Sequence, residues 1–459
     1  MKKLLLVVFG LFIIVSSFAQ VDTAKSKTPF EGLDQTWYNG GDRRTSPTPF
    51  LESKYFTGTM MLDANYTYSF TNPIDNTVVG STALGRDNET QVALAVLGGE
   101  FNYKNARGKL FFQMGTNSTV IPRDDYSPYR GQYQLPNVYR YLAEAYAGYH
   151  FDKWRGINVD MGLFVSYIGL NSYYQVENWE YQASYTSDNT PWFFNGVRIQ
   201  IFPTKHLKIE PWIINGWQSY AKYNNMPGLG GNITWIPNNN VKLLTNDYWG
   251  TDTGGVPSRE RVHSDNSLLV RYFNEPQSKG ISQVAFSLTG DIGFEKGGGV
   301  NGFKSDPVKG PAQYFVSWMF YNRVWFNQNK FAWTIGGGYI NNPGRYLVLY
   351  PTGDASPLPN PKNPTQTEGT HPFDTSPGSQ FSGFDYSTNI DWMPNQSLTW
   401  RIEYVHRYAS VPYFAGHGGV TSPTGYTTTA FGPGTPYPNW APDLAHLEDR
   451  VIFAMLFRI

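Results

Sequence analysis

The sequence predicts an all-β protein, an antiparallel transmembrane β-barrel of about 16 strands with short periplasmic turns and long extracellular loops. Three observations point there. The chain opens with an export signal and then lacks any other long apolar run. Its segments alternate apolar and polar residues with period two, and the links between them alternate between short and long.

The export signal comes first in the chain. Lys2 and Lys3 precede an apolar run from Leu4 to Val15, and Ser17-Phe18-Ala19 supplies a small-residue cleavage site. The run is too short to span a bilayer as a helix, so cleavage after Ala19 is expected and residues 1–19 fall outside the fold. No other stretch is long and apolar enough for a membrane helix, so a membrane role has to be built from strands. The absence of Cys excludes disulfides, thiolate metal sites and a lipoprotein anchor. Charges balance at 36 basic and 36 acidic residues, and loss of the two signal lysines leaves 34 − 36 = −2. Capture of nucleic acid is therefore not expected. Aromatic residues reach 17%, with 32 Tyr and 46 Gly, a composition that favours sheet over helix.

The strands follow from alternation. In the segment 60–70, Met60, Leu62, Ala64, Tyr66, Tyr68 and Phe70 interleave with Met61, Asp63, Asn65, Thr67 and Ser69. Residues 139–151 set Tyr139, Tyr141, Ala143, Ala145, Ala147, Tyr149 and Phe151 against Arg140, Glu144 and His150. Similar patterns run through 157–167, 283–295 and 398–404. Sixteen strands are expected near 57–70, 90–103, 108–118, 139–151, 156–168, 193–203, 207–217, 229–236, 241–250, 261–272, 281–294, 313–326, 331–341, 381–392, 398–409 and 448–459.

A soluble sandwich would alternate too, so the links carry more weight. Residues 104–107, 152–155, 204–206, 237–240, 327–330 and 393–397 are short, and all but 204–206 hold Gly, Pro, Asn or Asp. The intervening links 71–89, 119–138, 169–192, 295–312, 342–380 and 410–447 are long. One short-turn side and one long-loop side is the signature of an outer-membrane barrel, with the short side periplasmic. At the C-terminus, Val451, Phe453, Met455, Phe457 and Ile459 place an apolar residue at every second position to the chain end. Tyr66, Tyr68, Trp154, Trp212, Trp235, Trp318, Trp325, Trp392 and Trp400 are expected in interfacial girdles. The barrel is then one domain, 57–459, preceded by a segment 20–56 assigned to the periplasmic mouth or the lumen. No fixed repeat of propeller or solenoid type is present.

Catalytic motifs are weak. Gly297-x-Gly299-x-x-Gly302 has dinucleotide spacing, yet Phe303-Lys304-Ser305-Asp306-Pro307 follows where a helix would be needed. His417-Gly418-Gly419 lacks a Gly-x-Ser-x-Gly partner, and the seven His show no metal-ligand spacing. No enzyme activity, cofactor or metal is expected. Strand phase instead places Asp63, Asn65, Arg140, Glu144, Asp160, Arg198, Lys208, Glu210, Arg271, Asp291, Arg401, Glu403 and Arg407 on the inner face. In a barrel of this size the interior has room for water, so these groups are expected to line the pore without buried partners. Their mixed signs suggest a transverse field or a salt-bridged wall, with no strong ion selectivity; plain solvated wall residues are the simpler alternative. By analogy with general porins, the third long loop, Gly169 to Trp192, would fold inward as a constriction carrying Glu177 and Asp188.

Several blocks resemble the beta-barrel porin family described as OmpL-like. They are Trp37-Tyr38-Asn39-Gly40 with Arg43; Asn215-Gly216-Trp217; Gly336-Gly337-Gly338-Tyr339 leading to Asn342-Pro343-Gly344-Arg345-Tyr346; and Met393 through Tyr404 followed by Val411-Pro412-Tyr413-Phe414. The resemblance covers most of the mature chain and implies an outer-membrane barrel and channel, without naming a solute. Asp22-Thr23-Ala24 also resembles a periplasmic O-glycosylation acceptor.

The expectation is a porin-like channel in the outer membrane of a Gram-negative bacterium, passing small hydrophilic solutes passively. Its partners would be outer-membrane lipids, the barrel-assembly machinery during biogenesis and its solutes, with a homo-oligomer left open. The alternative is a non-conducting barrel that binds a ligand or partner through its long loops, and a barrel-embedded hydrolase ranks third.

Overall fold

A computed structural model of the chain describes residues 28–45, 49–73, 76–78, 81, 84–122, 125, 133–307, 312–344, 359–360, 363–367, 380–417 and 444–459. The signal segment, Asp22-Thr23-Ala24, Arg345-Tyr346, Gly418-Gly419 and most of the two longest loops lie outside the described residues.

Sixteen strands close into a barrel, each paired antiparallel with its chain neighbours and the last with the first. They are β1 (Phe56–Ser69), β2 (Glu89–Tyr103), β3 (Ala106–Met114), β4 (Leu142–Phe151), β5 (Ile157–Val165), β6 (Phe193–Thr204), β7 (Leu207–Ile214) and β8 (Gly228–Asn238). The second half comprises β9 (Val241–Gly250), β10 (Glu260–Asn274), β11 (Ile281–Lys296), β12 (Tyr314–Phe326), β13 (Phe331–Asn342), β14 (Phe381–Asn395), β15 (Leu398–Ala409) and β16 (Leu447–Arg458). Closure runs from Met61↔Arg458 to Ser69↔Arg450, so no edge is left to water or lipid. Two short ribbons, Pro359–Asn360 with Asn363–Thr367 and Phe414–Ala415 with Leu444–Ala445, lie in the long loops.

The turn chemistry fits the short side. Asn327, Gln328 and Asn329 sit in succession at φ 50°, 58° and 63°, the left-handed region that Asn tolerates better than most residues. Along the strands, the apolar phase of each alternation faces outward: Met161 is 70% exposed and Ile390 62%. That outer band is what lipid would cover. Trp392 and Trp400 lie directly opposite each other across β14 and β15, and both are exposed, as are Trp154, Trp235 and Trp318. Trp212 and Trp325 correct the girdle expectation, because their strand phase turns them inward, where both are buried. Trp212 then donates its indole N–H to Glu210 at 3.0 Å, which a lipid-facing ring could not do.

Other differences have local causes. Strand β4 begins at Leu142, because Leu135–Tyr139 forms a helical turn with Pro136 pre-set for its first positions. Pairing then shifts between Phe111↔Glu144 and Phe112↔Leu142, so Ala143 is a bulge residue and is buried. Strand β3 stops at Met114, since Gly115 takes φ 108° and a helical turn, Asn117–Val120, follows. The glycine-rich triplet at 297–299 is a tight turn with all three φ positive, closed by a Gly297↔Val300 bridge. It has the geometry of a hairpin tip.

Candidate functional site: the lumen and its two insertions

The inner face carries the polar phase of the strands, and two chain segments fold into it. The first is the long connection between β5 and β6. From Leu170 to Thr190 nearly all of its residues are buried, which a loop can sustain only if its backbone groups find partners. The wall supplies them. Glu403 accepts from the backbone N–H groups of Tyr181 at 2.6 Å and Gln182 at 2.8 Å, and also from Asn389 Nδ2 at 3.0 Å. Asp385 accepts from Ser184 Oγ and the Tyr185 N–H, both at 2.9 Å. The Tyr181 hydroxyl donates to Asp63 at 2.8 Å and accepts from Asn65 Nδ2 at 2.6 Å.

Beneath these contacts lies a buried charge triad. Asp391 sits between Arg323 and Arg401, 2.7 Å from each, and none of the three side chains is more than 4% exposed. Both guanidiniums also reach the loop: Arg323 Nη1 donates to the Trp179 carbonyl at 3.2 Å and Arg401 Nη2 to the Asn178 carbonyl at 2.9 Å. Arg407 pairs with Asp188 at 2.8 Å and stacks on Tyr185 at 4.0 Å. On the other flank, Tyr174 donates to Glu144 at 2.9 Å, Tyr173 to Gln113 at 2.7 Å, and Glu177 pairs with Arg458. The loop thus crosses from β5 to the β12–β16 wall and is tied back to β3 and β4.

A missing side chain makes room for it. The helical turn Tyr185–Asp188 of the loop packs against β13, and a Cβ on Gly338 would stand 2.6 Å from Ser184 Oγ. Gly338 belongs to the glycine triplet noted in the sequence, which gives that motif a packing reason.

The second insertion is residues 28–45, which lie across the short-turn end. Arg155 holds the Thr28 carbonyl at 3.0 Å and Glu31 at 2.8 Å. Trp37 donates to the Asn239 carbonyl at 2.9 Å beneath Arg271, which pairs with Asp34 at 2.6 Å. Arg43 reaches the carbonyls of Asn395 at 2.9 Å and Leu398 at 2.7 Å. The segment therefore touches turns on opposite sides of the barrel. It also locks to the loop: Trp179 N–H donates to Asn39 Oδ1 at 2.9 Å, Asn39 Nδ2 to Glu180 at 3.3 Å, and Gly40 N–H to the Glu177 carbonyl at 3.1 Å. Burial raises the Glu180 carboxyl to about 7, against the hydrogen bond from Asn171. Burial also acts to raise Asp34, but hydrogen bonds from Thr36 and Arg271 outweigh it and hold that carboxyl below its usual range.

Of the sequence-derived residues, Asp63, Asn65, Glu144, Asp160, Arg198, Lys208, Glu210, Arg271, Asp291, Arg401, Glu403 and Arg407 all stand on inward strand positions. Arg140 does not: it follows the helical turn before β4 and binds the Ser118 carbonyl and Thr119 hydroxyl. The expectation that inward charges need no buried partners is overturned. Asp160 is held by Arg198 at 3.0 Å and Arg107 at 3.4 Å, Glu210 by Lys208 at 3.2 Å and Gln200 at 2.6 Å, and Asp291 lies opposite Asp265 with His263 Nε2 3.7 Å away. The two insertions take space that water would otherwise fill. Residues such as Arg323, Asp385, Asp391 and Arg450 were missed by the sequence reading, although the strand phase that found Arg401 and Glu403 applies to them equally.

With this geometry in view, comparison with known proteins adds a family. The family model described as "Putative beta-barrel porin-2, OmpL-like" matches residues 55–432. The chain belongs to that family. Among curated proteins none matches. Solved structures of similar shape include the outer membrane channel DcaP of Acinetobacter baumannii, 8% identical over 88% of this chain and 97% of that one, with a TM-score of 0.46. An anion-selective porin from Comamonas acidovorans is 8% identical over 88% and 99%, with a TM-score of 0.47. OprB of Pseudomonas putida is 9% identical over 88% and 94%, also at 0.47. The chain is a porin-like barrel of the outer membrane.

Proposed function

We propose that this barrel is a channel for passive diffusion of small hydrophilic solutes, narrowed by the 169–192 loop and by residues 28–45. The observation that carries this reading is the sorting of side chains: the outer face is apolar, while the inner face is polar and ionic and keeps Arg107, Lys109, Arg198 and Lys208 partly exposed, as the wall of an aqueous path would. The loop is tied to the wall at many points, so the passage it leaves has a fixed width. Residues 28–45 narrow the short-turn mouth and act with the loop, because Asn39 and Gly40 bind it directly.

Liposome swelling with uncharged sugars of graded size tests this. Swelling with the smallest sugars and a sharp size cut-off are expected, and no swelling from folded, inserted protein would refute it. A non-conducting barrel that binds through its long loops is the second reading, favoured by the extent to which the two insertions fill the described lumen. It predicts no swelling together with saturable ligand binding.

A further inference from the structure

The lumen is not filled evenly. On β12, β14 and β15 every inward side chain is buried, because the 169–192 loop docks there. Across the barrel, the inward side chains of β3, β4, β6, β7 and β9 remain partly exposed toward the short-turn end, while farther along the same strands Phe111, Trp212, Ile214 and Tyr248 are buried. Water reaches that sector from the short-turn end.

The charges in this sector are sorted by depth. Arg107 keeps 21% of its side chain exposed, Lys109 15%, Arg198 13% and Lys208 19%. The carboxylates that hold them, Asp160, Glu144 and Glu210, are at most 4% exposed. The acids therefore lie behind the bases, and the cationic ends meet the water. Lys242 extends the series: it is partly exposed, sits 4.7 Å over the Tyr38 ring, and among the described residues forms no ion pair with a carboxylate. Glu100, half exposed and 3.5 Å from Lys109, moderates the series at the short-turn mouth.

The five bases are spatially continuous. Arg107, Gly148, Asp160 and Arg198 fall in one cross-strand row over β3 to β6, and Lys208 aligns through Thr234 with Leu244, two residues from Lys242. Arg107 and Arg198 share Asp160, and Lys208 pairs with Glu210, which also accepts from Trp212 under the Arg198 guanidinium, so neighbouring charges act together on one permeating ion.

We propose that the short-turn end of this sector is a basic strip that favours small anionic solutes such as carboxylates and phosphates, with Arg107, Lys109, Arg198, Lys208 and Lys242 as its cationic steps. This rests on the channel reading above and gives it a substrate class. The mixed-sign wall expected from sequence counted charges without regard to depth, and depth decides which sign a solute meets.

The test is the reversal potential of the full mature protein in a planar bilayer under a KCl gradient, for the natural sequence, Lys242→Glu and the Lys208→Gln, Lys242→Gln pair. Lys242 has no carboxylate to orphan, so Lys242→Glu leaves every buried acid paired; in the neutral pair Glu210 loses Lys208 but keeps its hydrogen bonds from Gln200 and Trp212. Chloride preference in the natural protein is expected, falling about threefold or more in Lys242→Glu and less in the neutral pair, with Lys330→Gln in an exposed turn unchanged. Cation preference, or a ratio insensitive to both variants, would overturn the basic strip while leaving the channel standing. A silent bilayer would overturn the channel reading and the strip with it.

Discussion

Replacing Asp391 by Asn separates a packed lumen from a wet one. The carboxylate is fully buried and holds two guanidiniums, each 2.7 Å away and nearly buried itself. Asn keeps the shape and some hydrogen bonding but removes the charge, leaving two buried cations side by side. Breaking a buried pair in this way costs about 3–5 kcal/mol, whereas a pair exposed to water is worth roughly 0.2–1 kcal/mol. The effect should also reach the loop, because the same arginines hold the Asn178 and Trp179 carbonyls. The assay is urea unfolding of protein refolded into lipid vesicles, read by tryptophan fluorescence, with protease cleavage in 169–192 as the local probe. A loss near 3 kcal/mol with faster loop cleavage is expected. A loss below about 1 kcal/mol would mean that the triad is solvated and that the described packing of the lumen is wrong.

Three further outcomes follow from the same geometry. Gly338→Leu places a side chain where Ser184 packs, so overpacking of about 1–3 kcal/mol and displacement of the loop are expected, measured by unfolding and by proteolysis of 169–192. Deleting residues 28–45 should raise unit conductance while leaving the barrel folded by circular dichroism, since the segment contributes no barrel strand. Glu180 titrates at about 7 in the folded loop against a usual 4.5, so the folded state binds the extra proton between those values. Its contribution to loop docking is therefore full below about 4.5 and is lost as pH rises through 7, so loop proteolysis should quicken across that window and Glu180→Gln should flatten the response.

The sequence made the strands legible because a barrel wall separates lipid from lumen with a strict period of two. Segments such as 60–70 and 283–295 carry that period without interruption, and the observed strands β1 and β11 follow it. Where a bulge breaks the phase, as at Ala143, or where Pro136 starts a helical turn, the alternation misleads, and Arg140 was placed on a strand for that reason. The interior was less legible. The 169–192 loop has no periodicity because its partners are scattered a few at a time over many strands of the wall. Its depth in the lumen depends on contacts such as Tyr181 to Glu403 that are more than two hundred residues apart in sequence. The aromatic cluster Trp37-Tyr38 ahead of the first strand was a usable signal, since such residues are seldom left in water.

Single-channel recording of the refolded mature protein in a planar bilayer tests the central claim most directly. The account predicts discrete conductance steps that scale with salt concentration and grow when residues 28–45 are removed. A bilayer that stays silent with both proteins, when each is shown to be folded and inserted, would contradict it.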